Sequence, residues 1–209
     1  MAQSDVSFSK ILRSDLKRVY AYQTTQFPHS RLKLLLMYFK FFFMSKSFRS
    51  VFFYRLLNLK CKNNPLLLSI FLIIRQLCFC LDIPYNAKIG EGLLFGHIDC
   101  IVIHGNSVIG KNATIMQGVT IGGNIGKIKN NRTSPVIGSG VFIGAGAKIL
   151  GPVVIGDNCM IGANAVVVKD IPNDSLAVGV PAKVVKNVET PFMDIQENFR
   201  RGRIAKMEK

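Results

Sequence analysis

The stretch "IGSGVFIGAGAKILGPVVIGDNCMIGANAVV", residues 137–167, decides the fold of this chain. An aliphatic residue recurs in it at every sixth position, and glycine directly follows four of these residues. Six-residue spacing walks around an α-helix instead of forming a stripe, so a helical period does not fit. It fits short strands joined by turns, in which each aliphatic side chain points inward and the glycine permits the corner backbone.

The same period extends towards the N-terminus, with two interruptions. It slips by two positions between Ile101 and Ile103, and a gap of sixteen positions instead of six separates Ile121 from Ile137. Three hexads close one coil, and stacked coils bury a continuous aliphatic ladder. The sequence therefore predicts a mainly β fold, a parallel β-helix. The repeat positions are Ile83, Ile89, Phe95, Ile101, Ile103, Ile109, Ile115, Ile121, Ile137, Ile143, Ile149, Ile155, Ile161 and Val167.

Composition and patterning divide the 209-residue chain into three regions. Apolar residues make up 49% of it, which excludes a disordered polypeptide. We expect a helical, basic and Phe-rich region over residues 1–81, the β-helix over 82–185 with a loop at 122–136, and a C-terminal tail over 186–209. The five cysteines are odd in number and suit neither a disulfide framework nor a zinc site, so we interpret them as reduced thiols packed as small hydrophobes.

The excess positive charge of the chain, +15, is concentrated at its N-terminus, where the first 64 residues carry twelve basic and two acidic side chains. Such a segment suits an anionic partner, and its aliphatic and Phe-rich character favours lipid or a protein neighbour over nucleic acid. Helices are expected over residues 31–60, lying on a membrane surface or another subunit, and over residues 65–81, buried. The alternative is that both helices simply pack against the rest of the protein. Neither offers the ~18 uninterrupted apolar residues that a membrane span needs.

The opening "MAQSDVSFSK" has no apolar core of the kind that forms a signal peptide. We therefore expect a cytoplasmic protein. If lipid is the partner of the basic segment, the protein is expected to be peripheral at the inner face of the cytoplasmic membrane.

The hexads "IGAGAKILGPVVIGDNCMIGANAVV", residues 143–167, and the following "GVPAKVV", residues 179–185, resemble the left-handed β-helix acyltransferases, within them the serine acetyltransferase-like branch. The segment "SFRSVFFYRLL", residues 47–57, is similar to the helix that precedes the β-helix in that branch. The resemblance covers about residues 48–187. It implies an acetyl-CoA-dependent enzyme that forms homotrimers, with acetyl-CoA lying between the β-helices of neighbouring subunits.

A histidine stands at the first interruption of the repeat, in the stretch "FGHIDC". A hydroxyl that accepts an acetyl group must lose its proton as it attacks, and a neutral imidazole suits that task. The resemblance puts the catalytic histidine at His97; the alternative is a solvated corner histidine. Asp82 lies fifteen residues upstream, close to one eighteen-residue coil, where the family has an aspartate that forms a dyad with the histidine. The alternative for Asp82 is a turn residue, and Asp99 is expected to face elsewhere.

Coenzyme A carries several phosphate charges and a long pantetheine arm, so it needs a basic anchor and a slot with free backbone amides. The resemblance implies backbone contacts at Gly123, Ala145 and Ala163, and phosphates near Lys169 and Lys183. The repeat alone also explains the glycine and the alanines, and the lysines are equally well explained as exposed solvated charges.

The acceptor is inferred from departures from the family pattern. The serine enzymes of the family place an aspartate before the catalytic histidine, and Arg-His before the proline that closes the long loop; this chain has Gly96, Thr133 and Ser134 there. An amino acid needs paired charges, whereas a sugar needs only hydroxyl contacts. The "GH" pair and the run "IMQGVTIGG", residues 115–123, resemble polysaccharide O-acetyltransferases. The sequence therefore favours a sugar of a capsule, O-antigen or exopolysaccharide as the acceptor. The alternative is a serine O-acetyltransferase of cysteine biosynthesis.

Two further classes use the same predicted fold. A γ-type carbonic anhydrase needs three zinc-binding histidines, while residues 82–185 contain only His97 and His104, so no metal is expected. A non-catalytic trimeric scaffold is expected to lose the histidine that this chain retains. His104 lies on the resumed repeat without a motif, and we expect it to be a surface or interface residue.

Overall fold

The computed structural model describes residues 8–23, 30–61, 64–78 and 81–187. Within these ranges helices come first and fifteen short strands follow. The helices are α1 (Phe8–Gln23), α2 (Arg31–Met44), α3 (Lys46–Leu56), which runs on into a π-helical turn (Leu57–Cys61), and α4 (Pro65–Cys78). The strands are β1 (Leu81–Asp82), β2 (Lys88–Ile89), β3 (Leu94–Phe95), β4 (Ile101–Ile103), β5 (Val108–Ile109), β6 (Thr114–Ile115), β7 (Thr120–Gly122), β8 (Val136–Ile137), β9 (Phe142–Ile143), β10 (Lys148–Leu150), β11 (Val154–Ile155), β12 (Met160–Ile161), β13 (Val166–Val167), β14 (Ser175–Val178) and β15 (Lys183–Asn187).

Successive strands belong to three different sheets in rotation, so the chain winds as a coil. Face A consists of β1, β4, β7, β10 and β13, face B of β2, β5, β8 and β11, and face C of β3, β6, β9, β12, β14 and β15. All neighbouring pairs in these faces are parallel except β14 and β15, which are antiparallel and finish face C. The predicted left-handed parallel β-helix is confirmed.

The strand register contains both interruptions of the repeat. Lys148 pairs with Val166, which gives the undisturbed coil of eighteen residues. Leu81 pairs with Ile101, twenty positions on, because the first coil contains the slip of two. Thr120 pairs with Lys148, twenty-eight positions on, because the long loop lies within that coil. The ladder closes over both insertions, so neither disturbs the scaffold on either side of it.

The repeat positions form the core of the β-helix. All fourteen aliphatic or Phe residues named above are between 0% and 3% exposed, and the small residues at the fifth position of the hexads, such as Ala113, Val141 and Ala165, are fully buried. Burying one such aliphatic side chain contributes roughly 1.5–3 kcal/mol. The apolar side chains that repeat at equivalent points of successive coils therefore form the buried core that stabilises the β-helix.

A buried ion pair attaches the helices to the first coil. Arg55 of α3 donates to the carboxylate of Asp15 of α1 at 2.8 Å, and both side chains are almost fully buried. The same carboxylate accepts the backbone amides of Gly92 and Leu93 at 2.8 and 2.9 Å, while the guanidinium donates to the carbonyl of Ile89 at 2.6 Å. Burial raises the pKa of Asp15, against the opposing effect of Arg55. The ion pair thus forms hydrogen bonds with backbone groups of the first coil, which have no further coil to bond.

Further side chains strengthen the same contact. Arg18 of α1 donates to Thr114 Oγ1 at 2.8 Å, Tyr54 of α3 to the carbonyl of Ala87 at 2.6 Å, and Ser47 to the carbonyl of Phe95 at 2.6 Å. A second apolar cluster, centred on Leu16 and Phe48, lies between the helices and also includes Leu94 of the first coil. The helices are therefore bonded to the β-helix over several coil segments.

One expectation about the helices is wrong. The helix expected to be buried over residues 65–81 is present as α4, but Leu66, Ile70 and Ile73 on it are 69%, 45% and 58% exposed. Among the described elements, α4 contacts α3 and the π-helical turn. None of the described helices is long and apolar enough to cross a membrane.

Replacing Asp15 by asparagine leaves the Arg55 guanidinium buried without its counter-ion. Removing one partner of a buried pair destabilises a protein by about 3–5 kcal/mol. We expect D15N to lower the free energy of unfolding by about that amount in urea denaturation.

The matched control is E91Q, which breaks the ion pair between Glu91 and the exposed Lys111. An exposed pair contributes about 0–1 kcal/mol, so this variant is expected to unfold nearly as the parent does. Equal unfolding free energies for D15N and the parent would contradict the anchoring role of the pair.

Candidate active site

The candidate base, His97, lies in the corner that joins β3 to β4, and its side chain is exposed. The ladder shows why this corner differs from the others. Phe95 pairs with Ile115 and Val102 pairs with Thr120. Six residues on the first of these coils therefore span the distance that four residues span on the next coil. The two additional residues do not fit into the ladder, so the corner bulges outwards and carries the imidazole with it.

The bulge is held from both sides. Ile98 is 7% exposed and anchors it in the core, while Cys100 takes a left-handed conformation with φ 55° that returns the chain to face A. Gly96 lies against the next coil so closely that a Cβ there would come within 2.4 Å of Met116 Sδ. The slip of two positions in the repeat therefore corresponds to a corner that is fixed by packing on both sides.

The corners between faces C and A form a continuous column along one edge of the β-helix. Backbone amides of Gly118, Gly146 and Asn164 donate to the carbonyls of Asp99, Gln117 and Ala145, each at 2.8 Å. Because each of these bonds links one coil to the next, His97, Ala145 and Ala163 share this edge. The structure therefore brings together three of the predicted site residues that are up to sixty-six positions apart in sequence.

Asp82, the predicted partner of His97, is exposed on β1. Its Cα pairs with that of Val102, five residues beyond His97, because the bulge lengthens the first coil. An eighteen-residue coil suggested that Asp82 and His97 lie on adjacent coils beside each other. In the structure they do not lie opposite each other in the ladder. Asp82 instead lies beside the strand that leaves the bulge, and the dyad stays a prediction.

The other predicted coenzyme contacts lie elsewhere on the β-helix. Gly123 follows β7 and Lys169 follows β13, so both lie at the edge between faces A and B. Lys183 is the first residue of β15 on face C. All three residues are exposed. Within one chain, face A separates the edge that carries His97 from the edge that carries Gly123 and Lys169.

The long loop at residues 122–135 is tied to the β-helix. Lys129 Nζ and Asp170 Oδ2 form an ion pair at 2.5 Å, and the hydrogen bond from Lys129 lowers the pKa of the Asp170 carboxyl. The backbones of Lys129 and Arg132 exchange two hydrogen bonds of 3.0 Å across Asn130 and Asn131, whose φ angles are 51° and 56°. Two left-handed residues of this kind make a tight reversal, for which asparagine is well suited. The loop is thus an ordered arm.

An open cavity of ≈ 580 Å³ lies between this arm and the last coils. Its lining includes Lys127, Lys129 and Lys169, with Asp170 as the one acidic residue among the described residues around it. Since Asp170 pairs with Lys129, the cavity carries a net positive charge from the other two lysines. Such a cavity has the sign and the size to receive a phosphorylated group.

His104 differs from His97 in having a local structural role. It follows β4, its Nδ1 accepts the backbone amide of Asn106 at 3.2 Å, and its carbonyl accepts the amide of Ser107 at 2.9 Å. It therefore closes the turn into face B. Among the residues that the structure describes, no group of three or more His, Cys, Asp or Glu residues could hold a metal ion.

Gln117 is a site residue that the sequence did not single out. It stands in the corner one coil after His97, and its Oε1 is shielded from solvent with no hydrogen-bond partner among the described residues. Its backbone carbonyl accepts the amide of Gly146, which places it in the column of corners. The only signal for it was its polarity at a repeat position where small residues are usual.

The matches to known proteins agree with the β-helix fold. The family model "Bacterial transferase hexapeptide (six repeats)" matches residues 134–169, and "Hexapeptide repeat of succinyl-transferase" matches residues 101–126. A crystal structure of Neisseria gonorrhoeae serine acetyltransferase in complex with serine superposes with a TM-score of 0.67 at 35% identity, over 88% of this chain and 71% of that one. The chain belongs to the hexapeptide-repeat acyltransferases, in the serine acetyltransferase branch.

Two further relatives of this chain support the same assignment. Serine acetyltransferase of Haemophilus influenzae is 39% identical over 157 residues, which are 74% of this chain and 58% of the relative. A serine acetyltransferase structure in complex with CoA has a TM-score of 0.67 at 33% identity, over 88% of this chain and 72% of that one. The chain thus spans less than two thirds of the length of the curated relative.

The interpretation of the acceptor as a polysaccharide sugar is wrong. The relatives named above are serine acetyltransferases, and one of the matching structures contains serine. The inference rested on missing charges at Gly96, Thr133 and Ser134. Its physical weakness is that a charge can reach a bound amino acid from a neighbouring position, and the structure has Asp99 in the same bulge as His97 and Arg132 directly before Thr133.

Gly144 tests the column of corners. A Cβ there would meet the backbone nitrogen of Ala163 at 2.6 Å, so alanine forces the two neighbouring corners apart. We expect Gly144→Ala to lower the melting temperature and to weaken coenzyme A binding in calorimetry. Gly122→Ala is the matched control, because its Cβ meets only side-chain atoms at 3.7 Å or more. If both variants bind coenzyme A equally well, the column plays no part in the site.

Proposed function

We propose that this protein transfers the acetyl group of acetyl-CoA to the hydroxyl of L-serine. The proposal follows the names of its relatives, of which one is in complex with serine and another with CoA. The observation that carries it is the bulge at the start of the β-helix, which exposes His97 on the same edge as Ala145 and Ala163.

The reaction needs a base at the acceptor hydroxyl. In the proposed step the neutral imidazole of His97 takes the hydroxyl proton while the oxygen attacks the thioester carbonyl. The new C–O bond forms, the C–S bond breaks, and the proton passes from the imidazolium to the departing thiolate of coenzyme A. Asp82, on the strand beside the bulge, would accept a hydrogen bond from the other ring nitrogen and hold the imidazole in orientation.

The coenzyme would use both edges of face A. The corners at Ala145 and Ala163 offer backbone groups on the His97 edge, while Gly123, Lys169 and the basic cavity lie on the opposite edge. A second copy whose A–B edge lies against the A–C edge of the first would join the two halves of the site. We therefore propose a homotrimer with acetyl-CoA between adjacent β-helices, and Lys183 near a phosphate.

Serine binding needs an anion for its ammonium group and a cation for its carboxylate. We propose that Asp99 and Arg132 supply them. Asp99 is exposed two residues after His97, in the same bulge. Arg132 is half-buried in the ordered arm, and its backbone is fixed by the exchange of hydrogen bonds with Lys129. Because the arm lies on the A–B edge, this arginine would come from the second copy that joins the two edges. Asp99 lies three residues after Gly96 and Arg132 directly before Thr133, where the sequence lacks the family charges.

The base is tested by replacing each histidine of the β-helix in turn. His97→Ala is expected to reduce acetyl transfer to L-serine by ~10²–10⁴-fold, because a positioned base contributes that factor. His104→Ala, which removes a turn contact, is expected to retain activity. Release of free coenzyme A thiol measures the rate, and circular dichroism confirms that each variant is folded. Retained activity in His97→Ala would refute the mechanism, and no turnover of serine by the parent would refute the acceptor.

The acceptor charges make a separate prediction. Because Asp99 and Arg132 bind serine without taking part in proton transfer, Asp99→Asn and Arg132→Gln should raise KM for serine by about tenfold or more and affect kcat much less. Lys88→Gln removes an exposed charge on face B, and E91Q removes the half-buried carboxylate that pairs with Lys111 in the turn after β2; both should leave KM unchanged. An unchanged KM in both site variants would show that other groups bind the amino acid.

A further inference from the structure

Helix α2 has apolar side chains on two opposite sides. Met37 and Phe41 are each 6% exposed and pack into the apolar cluster with α1 and α3, with Leu34 and Tyr38 at its border. The second set is exposed to solvent. It consists of Leu32, Leu35, Leu36, Phe39 and Phe43, which are between 61% and 68% exposed.

The exposed set forms a stripe. With about 100° of rotation per residue, its five members fall within an arc of about 100°, and the buried set falls on the opposite side of the helix. The rings of Phe39 and Phe43 contact each other with their centroids 5.2 Å apart. Lys33 and Lys40 fall side by side along one border of the stripe, and both are exposed. We call this surface the α2 stripe.

A contiguous apolar surface of this kind needs an occupant. The side of α2 that packs on its own chain is already covered by α1 and α3. The charge around the stripe restricts which partner can cover the exposed side. Lys33 and Lys40 border the stripe, and the sequence from Leu16 to Leu81 contains no Asp or Glu that could pair with them in a second copy of this surface. A second copy of the α2 stripe would therefore oppose cations with cations, whereas an anionic surface would complement them.

The chemistry of the stripe fits the interface of an anionic lipid bilayer. Leucine and phenylalanine on one side of a helix with lysines at its border are typical of helices that lie in the plane of a membrane. Fourteen residues make α2 about 21 Å long, too short for the ~30 Å hydrocarbon core, so a position on the surface is the one open to it. Lysine side chains at the border can reach the headgroups while their stems lie along the apolar surface.

We propose that the α2 stripe docks the protein on an anionic lipid surface. The apolar stripe enters the headgroup region, and Lys33 and Lys40 pair with lipid phosphates. This inference concerns a surface that the proposed reaction does not use, so vesicle binding and acetyl transfer can each fail without the other.

The test uses the full chain and vesicles of phosphatidylcholine with or without phosphatidylglycerol, separated by sedimentation. The parent is expected to sediment with the phosphatidylglycerol vesicles and to be released by salt, since screening weakens the charge contacts. The double variant Phe39→Ser/Phe43→Ser is expected to lose at least tenfold in partitioning. Lys33→Gln/Lys40→Gln should lose several-fold, and only for the anionic vesicles.

Matched controls remove the same kinds of side chain elsewhere. Ile125→Ser/Ile128→Ser replaces two exposed apolar residues of the long loop, and Lys88→Gln one exposed lysine of face B; neither should change vesicle binding. Because the substituted positions of α2 are exposed, the variants should keep the parent melting temperature. Failure of the parent to bind anionic vesicles, or binding that the stripe variants leave unchanged, would overturn the proposal. The proposal would also be overturned if the parent binds no vesicles and its oligomer dissociates on Phe39→Ser/Phe43→Ser, because the stripe would then join copies of the chain.

Discussion

The constraint on which this protein depends is the stacking of identical apolar positions from coil to coil. Each aliphatic side chain covers its equivalent on the next coil, eighteen residues away where no insertion intervenes, and each strand pairs with its equivalent at the same time. A segment that breaks the period cannot remain in the ladder, because its neighbours on both sides are already paired. Extra residues are therefore expelled to the corners, and both expelled segments, the bulge at His97 and the basic arm at residues 122–135, carry the chemistry proposed for this protein.

A stacked ladder also has an end, where backbone groups have no further coil to bond. Here the end is closed by side chains from the helices: Asp15 accepts two amides and Arg55 donates to a carbonyl of the first coil. Burying this ion pair carries a desolvation cost, which is visible in the raised pKa of Asp15. The cost is offset by the several hydrogen bonds that the pair makes. The helical region therefore caps the first coil of the β-helix. Away from this contact, α2 and α4 have exposed apolar residues.

The candidate site was predictable from sequence only in part. His97 was singled out as a candidate because it stands where the period slips. In the structure this slip is a corner in which six residues span the distance that four residues span on the next coil. The position of Asp82 was less predictable, since the two extra residues of that corner shift its ladder partner to Val102. The acceptor was misjudged from the absence of charge at three positions. The absence of a charge at one position is weak evidence about a site assembled from several corners, because Asp99 lies three residues after Gly96 and Arg132 directly before Thr133.

By itself, the sequence determined the β-helix, its core and the two points at which it is interrupted, because a period of six is a local pattern that each stretch of the β-helix displays. Only the tertiary structure decided which residues share an edge: Ala145 and Ala163 with His97, and Gly123 with Lys169 on the other side of face A. It also decided that Asp15 and Arg55 meet over the first coil and that Leu66, Ile70 and Ile73 of α4 are exposed. These relations depend on how many residues each corner holds and how the helices fold back, which a one-dimensional repeat does not encode.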